Sequence, residues 1–344
     1  MSSFDPDDAA RPGSGIFGLP HGPEEARVHI LPVPFHATTS YRRGTALGPA
    51  AVLAASSQVE LADPIFGKPW RSGIWMTPED PEILAWNEEA SRLADPVLEA
   101  GGAIEGDPQL VAARERVNEI GAELNDRVRA WTERTLDAGH LPVILGGDHS
   151  TPFGAIDACA ARYPGMGVLH FDAHADLRPA FEGFTWSHAS ILHNVVDRLD
   201  GVVRVLQVGV RDLGEAELET ILASDGRIQA VFDHDWARWR MDGGGVRDQV
   251  RQALAELPDD IYVTFDIDGL DPALCPNTGT PVPGGLSWHE AGLWLEMLAR
   301  SGKRVVGLDL NEVSAGPQGD PLGESWDAIV GARLLYRLIA TAVK

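Results

Sequence analysis

Three short stretches of this chain share one habit: they place acidic or imidazole side chains at alternate or adjacent positions. "DAHAD" carries Asp172, His174 and Asp176, "DIDGLD" carries Asp266 and Asp268, and "GGDHS" carries Asp148 and His149. In extended backbone, residues i and i+2 project to the same side, so each spaced pair converges on one point. Such a gathering of aspartates without counter-charge would repel and be costly to bury. Cations resolve it. Two histidines and four aspartates are too many ligands for one ion and suit a pair sharing bridging carboxylates. Ligation by oxygen and nitrogen without sulfur points to two Mn(II) per subunit, with Ni(II) or Co(II) as alternatives, and away from structural zinc. Two such ions bridging a water make hydroxide available near neutral pH, which is the chemistry of a hydrolase.

Each cluster directly follows an apolar, β-branched run. "LPVIL" (141–145) leads into His149, "GVLHFD" (167–172) into "DAHAD", "IYVTFD" (261–266) into Asp268, and "RVVGLDL" (304–310) into Glu312. Similar runs occur at 28–33, 202–209 and 228–232. Continuous apolar runs of this length predict strands buried on both faces, as in a parallel sheet. Helical stretches are expected between them at 48–60, 87–99, 108–137, 187–199, 215–224, 245–256, 287–300 and 324–342. Alternation of strand and helix predicts an α/β chain with helices on both sides of a mainly parallel sheet. In such sheets chemistry collects beyond the carboxyl ends of the strands, where these clusters lie. The acidic stretch 77–107 reads as an insertion or helical excursion and not as a domain boundary.

Composition narrows the partners. The 344 residues carry 51 acidic against 28 basic groups, a formal charge of −23 that repels nucleic acid and anionic membranes and attracts a small cation. No apolar stretch approaches the roughly 18 residues of a membrane span. The opening "MSSFDPDDAARPGSG" has neither a basic nor an apolar signal region, and two cysteines make no disulfide scaffold, so a cytoplasmic location is the expectation.

With the motifs on the page, a resemblance follows. "GGDHS", "FDAHAD", "SHAS" and "DIDGLDPALCPNTGTPVPGGL" resemble signature stretches of the ureohydrolases: arginases, agmatinases and guanidino-acid hydrolases. "TSYRRGTALGPAAV" (39–52) is similar to that family's first signature segment, and "GLDLNEVS" (307–314) to its last strand end. The resemblance implies the three-layer α/β/α arginase–deacetylase fold, a flexible acidic segment over 1–25, a single ureohydrolase domain over 26–344, and a homotrimer or homohexamer. It implies that His149, Asp172, Asp176 and Asp266 hold one manganese, and Asp172, His174, Asp266 and Asp268 the other. Glu312 matches the carboxylate that grips the guanidinium, His188 the histidine that shuttles protons to the departing amine, and Thr280 a hydroxyl supporting the hydroxide. The types suit the reaction. A guanidinium carbon is a poor electrophile, so attack needs real hydroxide, an anion to hold the cation in line, and an acid for the leaving amine.

The remaining polar residues divide. Asp148 and Asp271 read as turn formers, and His170, inside its strand, as a core histidine. His36, His193, His234 and His289 have no partnered motif, and Cys275 sits near the site without being required.

For the substrate, arginases use a polar loop after the D-x-H-x-x-x-D block, whereas this chain has the aromatic "LRPAFEGFTW" (177–186). That favours agmatine, cleaved to putrescine and urea, with Trp186 along its methylene stem. Arg178, or Arg42 and Arg43 of the first signature segment, would instead serve a carboxylate tail, as in 4-guanidinobutyrate, another guanidino acid or arginine; guanidine itself is a further alternative. Other classes fit less well. A binuclear phosphoesterase needs a G-N-H-D/E block, a deacetylase of the same fold one zinc and a late tyrosine, and a non-catalytic binder should have lost ligands that are all present here.

Overall fold

A computed structural model describes residues 4–11, 13–317 and 322–344. Among these residues, eight parallel strands form one sheet: β1 (Val28–Val33), β2 (Ile74–Met76), β3 (Leu141–Gly146), β4 (Met166–Phe171), β5 (Val202–Val208), β6 (Ile228–Val231), β7 (Asp260–Phe265) and β8 (Arg304–Leu310). Their spatial order is β2-β1-β3-β8-β7-β4-β5-β6. The strands read as unbroken apolar runs because both faces are covered. Alternate residues enter different cores: Leu169 and Phe171 of β4 lie in one, Val168 in the other.

Among the described residues, ten helices cover the two faces. Their spans are α1 (Gly48–Ser56), α2 (Pro81–Glu99), α3 (Pro108–Asp137), α4 (Phe153–Arg162), α5 (Ile191–Arg198), α6 (Glu215–Ala223), α7 (Asp233–Met241), α8 (Val246–Ala255), α9 (Trp288–Arg300) and α10 (Trp326–Val343). Helices α1, α7, α8, α9 and α10 contribute to one core and α2 to α6 to the other, which makes three layers. Phe171 stacks on Phe265 at 4.7 Å between ring centroids and meets the edge of Trp294 at 6.0 Å, at the centre of the first core. None of the described helices is long and apolar enough to cross a membrane.

The acidic stretch 77–107 becomes α2, which packs on α3. Both helices start with an aspartate followed by proline. Asp80 accepts from the Glu82 N–H at 2.9 Å and Asp107 from Gln109 and Leu110 at 2.9 and 3.2 Å, caps worth about 1 kcal/mol each. Three elements were not anticipated. Strand β2 is only three residues long. Helix α4 is buried on nearly every side, so it lacks the polar face from which a helical period is read. Helix α7, "DHDWARWRM", is so polar that only Trp236 enters the core. The expected helix 187–199 begins instead with a single tight turn, His188–Ser190, before α5.

Within the segment expected to be flexible, Ile16, Phe17 and Leu19 are buried. The Phe17 N–H donates to Ser56 Oγ at 2.8 Å, and its ring lies 4.9 Å from Tyr336.

Candidate functional site

The four strands whose ends bear the motifs are immediate neighbours, in the order β3, β8, β7, β4. They deliver His149, Glu312, the Asp266–Asp268 pair and the Asp172–Asp176 block to one edge of the sheet. Backbone pairing continues past the strand ends: the Asp266 N–H donates to Phe171 O at 2.9 Å, Asn311 to Phe265 O at 2.9 Å, and Glu312 to Gly147 O at 2.7 Å. Gly147 is confined to glycine by the Phe35 carbonyl, which any Cβ there would strike.

Asp172 is the hub. Its Oδ2 lies 2.9 Å from His149 Nδ1, and its Oδ1 lies 3.3 Å from His174 Nδ1. Asp176 and Asp266 bring Oδ2 atoms to 3.2 and 3.5 Å from His149 Nδ1, while Asp268 Oδ2 is 3.1 Å from His174 Nδ1. Two sets of ligand-type atoms, each within 4.8 Å of one another, share Asp172: His149, His170, Asp172 and Asp176, and then Asp172, His174 and Asp268. Asp176 (φ 53°) and Glu312 (φ 62°) hold left-handed backbone. For a side-chain-bearing residue this costs of order 1–3 kcal/mol and clusters at functional sites.

His170 corrects the reading from sequence. It is fully buried, but it belongs to the site, because residues two apart on β4 share a face and Asp172 is two away. Gln207 Nε2 donates to Ala175 O at 2.8 Å, which turns the same amide nitrogen toward His170 Nδ1 at 3.1 Å. The ring therefore accepts at Nδ1 and donates from Nε2 to Asp172 Oδ2 at 2.9 Å. His170 orients Asp172 and has no lone pair free for an ion.

His149 is oriented from below in the same manner. The Thr264 hydroxyl donates to Asp309 Oδ1 at 2.8 Å and so accepts from His149 Nε2–H, also at 2.8 Å. That leaves Nδ1 facing the carboxylates. Asn311 Nδ2 donates to the same Asp309 oxygen at 2.6 Å. Thr264, Gln207, Asp309 and Asn311 were missed in the sequence. The signal was available: the every-second-residue pattern runs back from Asp266 to Thr264 and from Asn311 to Asp309.

The electrostatics test whether cations fit. Burial, reinforced by Asp172, pushes Asp176 up to about 8. Burial with Asp268, Asp172 and Glu312 raises Asp266 well above the carboxylate range. Burial alone would lower His149, but Asp172 and Asp176 outweigh it and hold the ring protonated. Asp176 and Asp266 thus favour their protonated forms where a cation would relieve them, while at Asp172 burial is outweighed by His170, His149 and His174, which hold it well below the carboxylate range. The donor set of imidazole nitrogens and carboxylate oxygens suits divalent ions.

Around this cluster, Glu312 is buried. Its Oε1 accepts the His149 N–H at 3.0 Å, while Oε2 has no partner among the described residues. An orphaned buried carboxylate oxygen calls for a cationic donor. Thr280 Oγ1 lies 3.4 Å from Asp268 Oδ2. His188 sits 6.1 Å from the Phe181 ring and feels the charges of His174, Asp172 and His149; burial lowers it to about 4, so the ring is neutral at pH 7. Asp148 closes a turn by accepting from Ser150, and Asp271 does so from Ala273.

Two tail candidates have partners of their own. Arg178 pairs with Glu217 at 3.6 Å, on α6, and covers the Phe181 ring at 5.4 Å. Trp186 packs 4.9 Å from Phe153, over Gly121 of α3 and beneath Arg198; these are contacts of the core, not of the carboxylate cluster. The aromatic character of that loop serves packing at this position.

Comparison with known proteins follows the same lines. The model of the arginase family matches residues 26–340. An N(1)-aminopropylagmatine ureohydrolase of Thermus thermophilus is 32% identical over 94% of this chain and 93% of its own. An agmatinase of Pyrococcus horikoshii is 30% identical over 93% and 94% respectively. The solved structure of proclavaminate amidino hydrolase from Streptomyces clavuligerus superposes with a TM-score of 0.71 at 23% identity, covering 98% of this chain and 99% of that one.

Proposed function

Because the chain belongs to the arginase family, whose relatives named above are amidinohydrolases, we propose that it hydrolyses agmatine to putrescine and urea. The observation that carries the choice of tail is the state of the arginines. Arg42 donates to Pro276 O at 3.0 Å, Arg43 pairs with Asp95, and Arg178 pairs with Glu217. Among the described residues, these candidates for gripping a carboxylate tail are already engaged, and the surrounding charge is acidic. A cationic tail suits such a site and an anionic one does not.

In this reading His149, Asp172, Asp176 and Asp266 hold one Mn(II), and Asp172, His174, Asp266 and Asp268 the other. When bound, a pair of divalent cations lowers the pKa of water toward neutrality. Glu312 Oε2 accepts from the guanidinium, which fixes its carbon above the Asp172 hub. Thr280 offers a hydroxyl beside Asp268. His188, neutral at rest, accepts on an imidazole nitrogen a proton that the attacking water gives up and passes it to the departing amine. A homotrimer or homohexamer completes the proposal.

Urea release from agmatine, N(1)-aminopropylagmatine, arginine and 4-guanidinobutyrate tests it. Agmatine should exceed both carboxylate-tailed substrates in kcat/KM by at least about 10²-fold, or about 2.8 kcal/mol. The Arg178→Ala variant should keep its KM for agmatine. Preference for an acid-tailed guanidine, lost in Arg178→Ala, overturns the cationic tail; preference for the aminopropyl compound overturns agmatine but keeps the tail class.

A further inference from the structure

An arginine outside every signature stretch holds the loop that bears Asp268. Arg211 follows β5 in "VGVRD", and its guanidinium makes five hydrogen bonds, all to backbone carbonyls. Nη2 donates to Asp268 O at 2.7 Å, Leu270 O at 3.1 Å and Val282 O at 3.0 Å. Nε reaches Val282 O at 3.2 Å and Nη1 reaches Gly209 O at 3.0 Å. Its own backbone N–H donates to Ala173 O at 2.8 Å, beside Asp172. The side chain thus ties the Asp266–Leu270 loop to the end of β5, and its main chain ties both to the Asp172 block. Space is reserved for it. Gly285 has φ 95°, and a Cβ there would come 2.8 Å from Nη2. Among the described residues no carboxylate lies within ion-pair distance of this guanidinium, so carbonyl dipoles alone satisfy a charge placed directly under an acidic cluster.

We propose that Arg211 is a positioning residue for one of the two ion positions, the one between His174 and Asp268. The rigid planar fork holds the Asp268 and Leu270 carbonyls against those of Val282 and Gly209, and so fixes the backbone of Asp268 and the carboxylate that meets His174 Nδ1 at 3.1 Å. The other position, at His149, shares Asp266 with this loop, but its remaining ligands stand on β3 and the end of β4 and on the Thr264–Asp309 pair, none of which Arg211's side chain touches. The inference depends on the two-ion reading above, and the test separates the two.

The experiment is titration of the EDTA-stripped full chain with Mn(II), followed by calorimetry, for the wild type, Arg211→Met and Arg211→Lys, with melting of each metal-free chain. The wild type should take two ions; binding of one or none overturns the two-ion reading before Arg211 is tested. In Arg211→Met one ion should bind as in the wild type and the other about 10–100-fold more weakly, the usual effect of removing a group that orients a ligand. Arg211→Lys, with a single ammonium in place of the fork, should weaken the same ion to a lesser degree. Unchanged binding of both ions overturns the proposal. Equal weakening of both does so too, because a merely structural role would not distinguish them. Should Arg211→Met fail to fold, the ratio of the two affinities in Arg211→Lys decides on the same criterion.

Discussion

Thr264→Val probes the orientation of His149 most directly. The substitution keeps the shape of a fully buried β-strand residue and removes one hydroxyl. Two hydrogen bonds go with it, from His149 Nε2 at 2.8 Å and to Asp309 Oδ1 at 2.8 Å. Asp309 retains donors in Asn311 Nδ2 at 2.6 Å and the Phe265 N–H at 3.2 Å, so its share of the loss is small. His149 Nε2–H is left buried and unpaired, which costs about 1–3 kcal/mol. The ring relieves that cost by rotating or by giving up its Nε2 proton, which leaves the remaining proton on Nδ1, the atom that faces the carboxylates. A bound ion must then restore the orientation at its own expense. The expected loss is about 10–100-fold in affinity, equal to about 1.4–2.8 kcal/mol, which agrees with the cost of the unpaired N–H. Calorimetric titration of the metal-free chain with Mn(II) measures it. The weakened ion should be the one at His149, the complement of the one sensitive to Arg211, and Thr264→Ser should bind as the wild type. If a folded Thr264→Val bound both ions within about twofold of the wild type, the hydroxyl would not orient His149, contrary to the usual weight of such contacts.

Two further outcomes are expected. His188→Ala should keep both ions and its KM while turnover falls by about 10²–10⁴, since only proton transfer is removed; loss of an ion would make His188 a ligand instead. His36 accepts the Gly44 and Ala46 N–H groups on Nδ1 at 3.3 and 3.2 Å, and burial, aided by Arg43 and opposed by Asp95, lowers it to about 4. Because the unfolded chain takes up that proton first, this stability is full above about pH 6.5 and is lost as pH falls toward about 4. The melting temperature of His36→Asn, whose amide oxygen accepts without titrating, should fall less on acidification through that window; curves that stay parallel to the wild type would exclude the role.

The layered α/β architecture was legible because strands covered on both faces leave continuous apolar runs. Seven strands were readable on that ground, and the eighth was too short. The groups that converge at the site were legible because their period of two announces a shared face, as with Asp172, His174 and Asp176. The same logic was under-used. Applied one step back along each strand it reaches His170 and Thr264, which orient Asp172 and His149.

What residue types and local spacing determined by themselves was the chemistry on offer: imidazoles and carboxylates at strand ends, in numbers that ask for cations. Which ends meet was decided only in three dimensions. The motif strands occur along the chain as β3, β4, β7, β8 but lie in space as β3, β8, β7, β4, and this order places Asp266 between Asp172 and Asn311. Long-range packing also set the partners of the substrate-tail candidates. Arg178 turned to Glu217 and Trp186 to Phe153, because a side chain on a loop takes its direction from the element it packs against and not from its neighbours in sequence. Arg211 shows the same limit from the other side. Its four acceptors are backbone carbonyls, which every residue possesses, so no pattern of side chains announces them and only the fold brings them to one guanidinium.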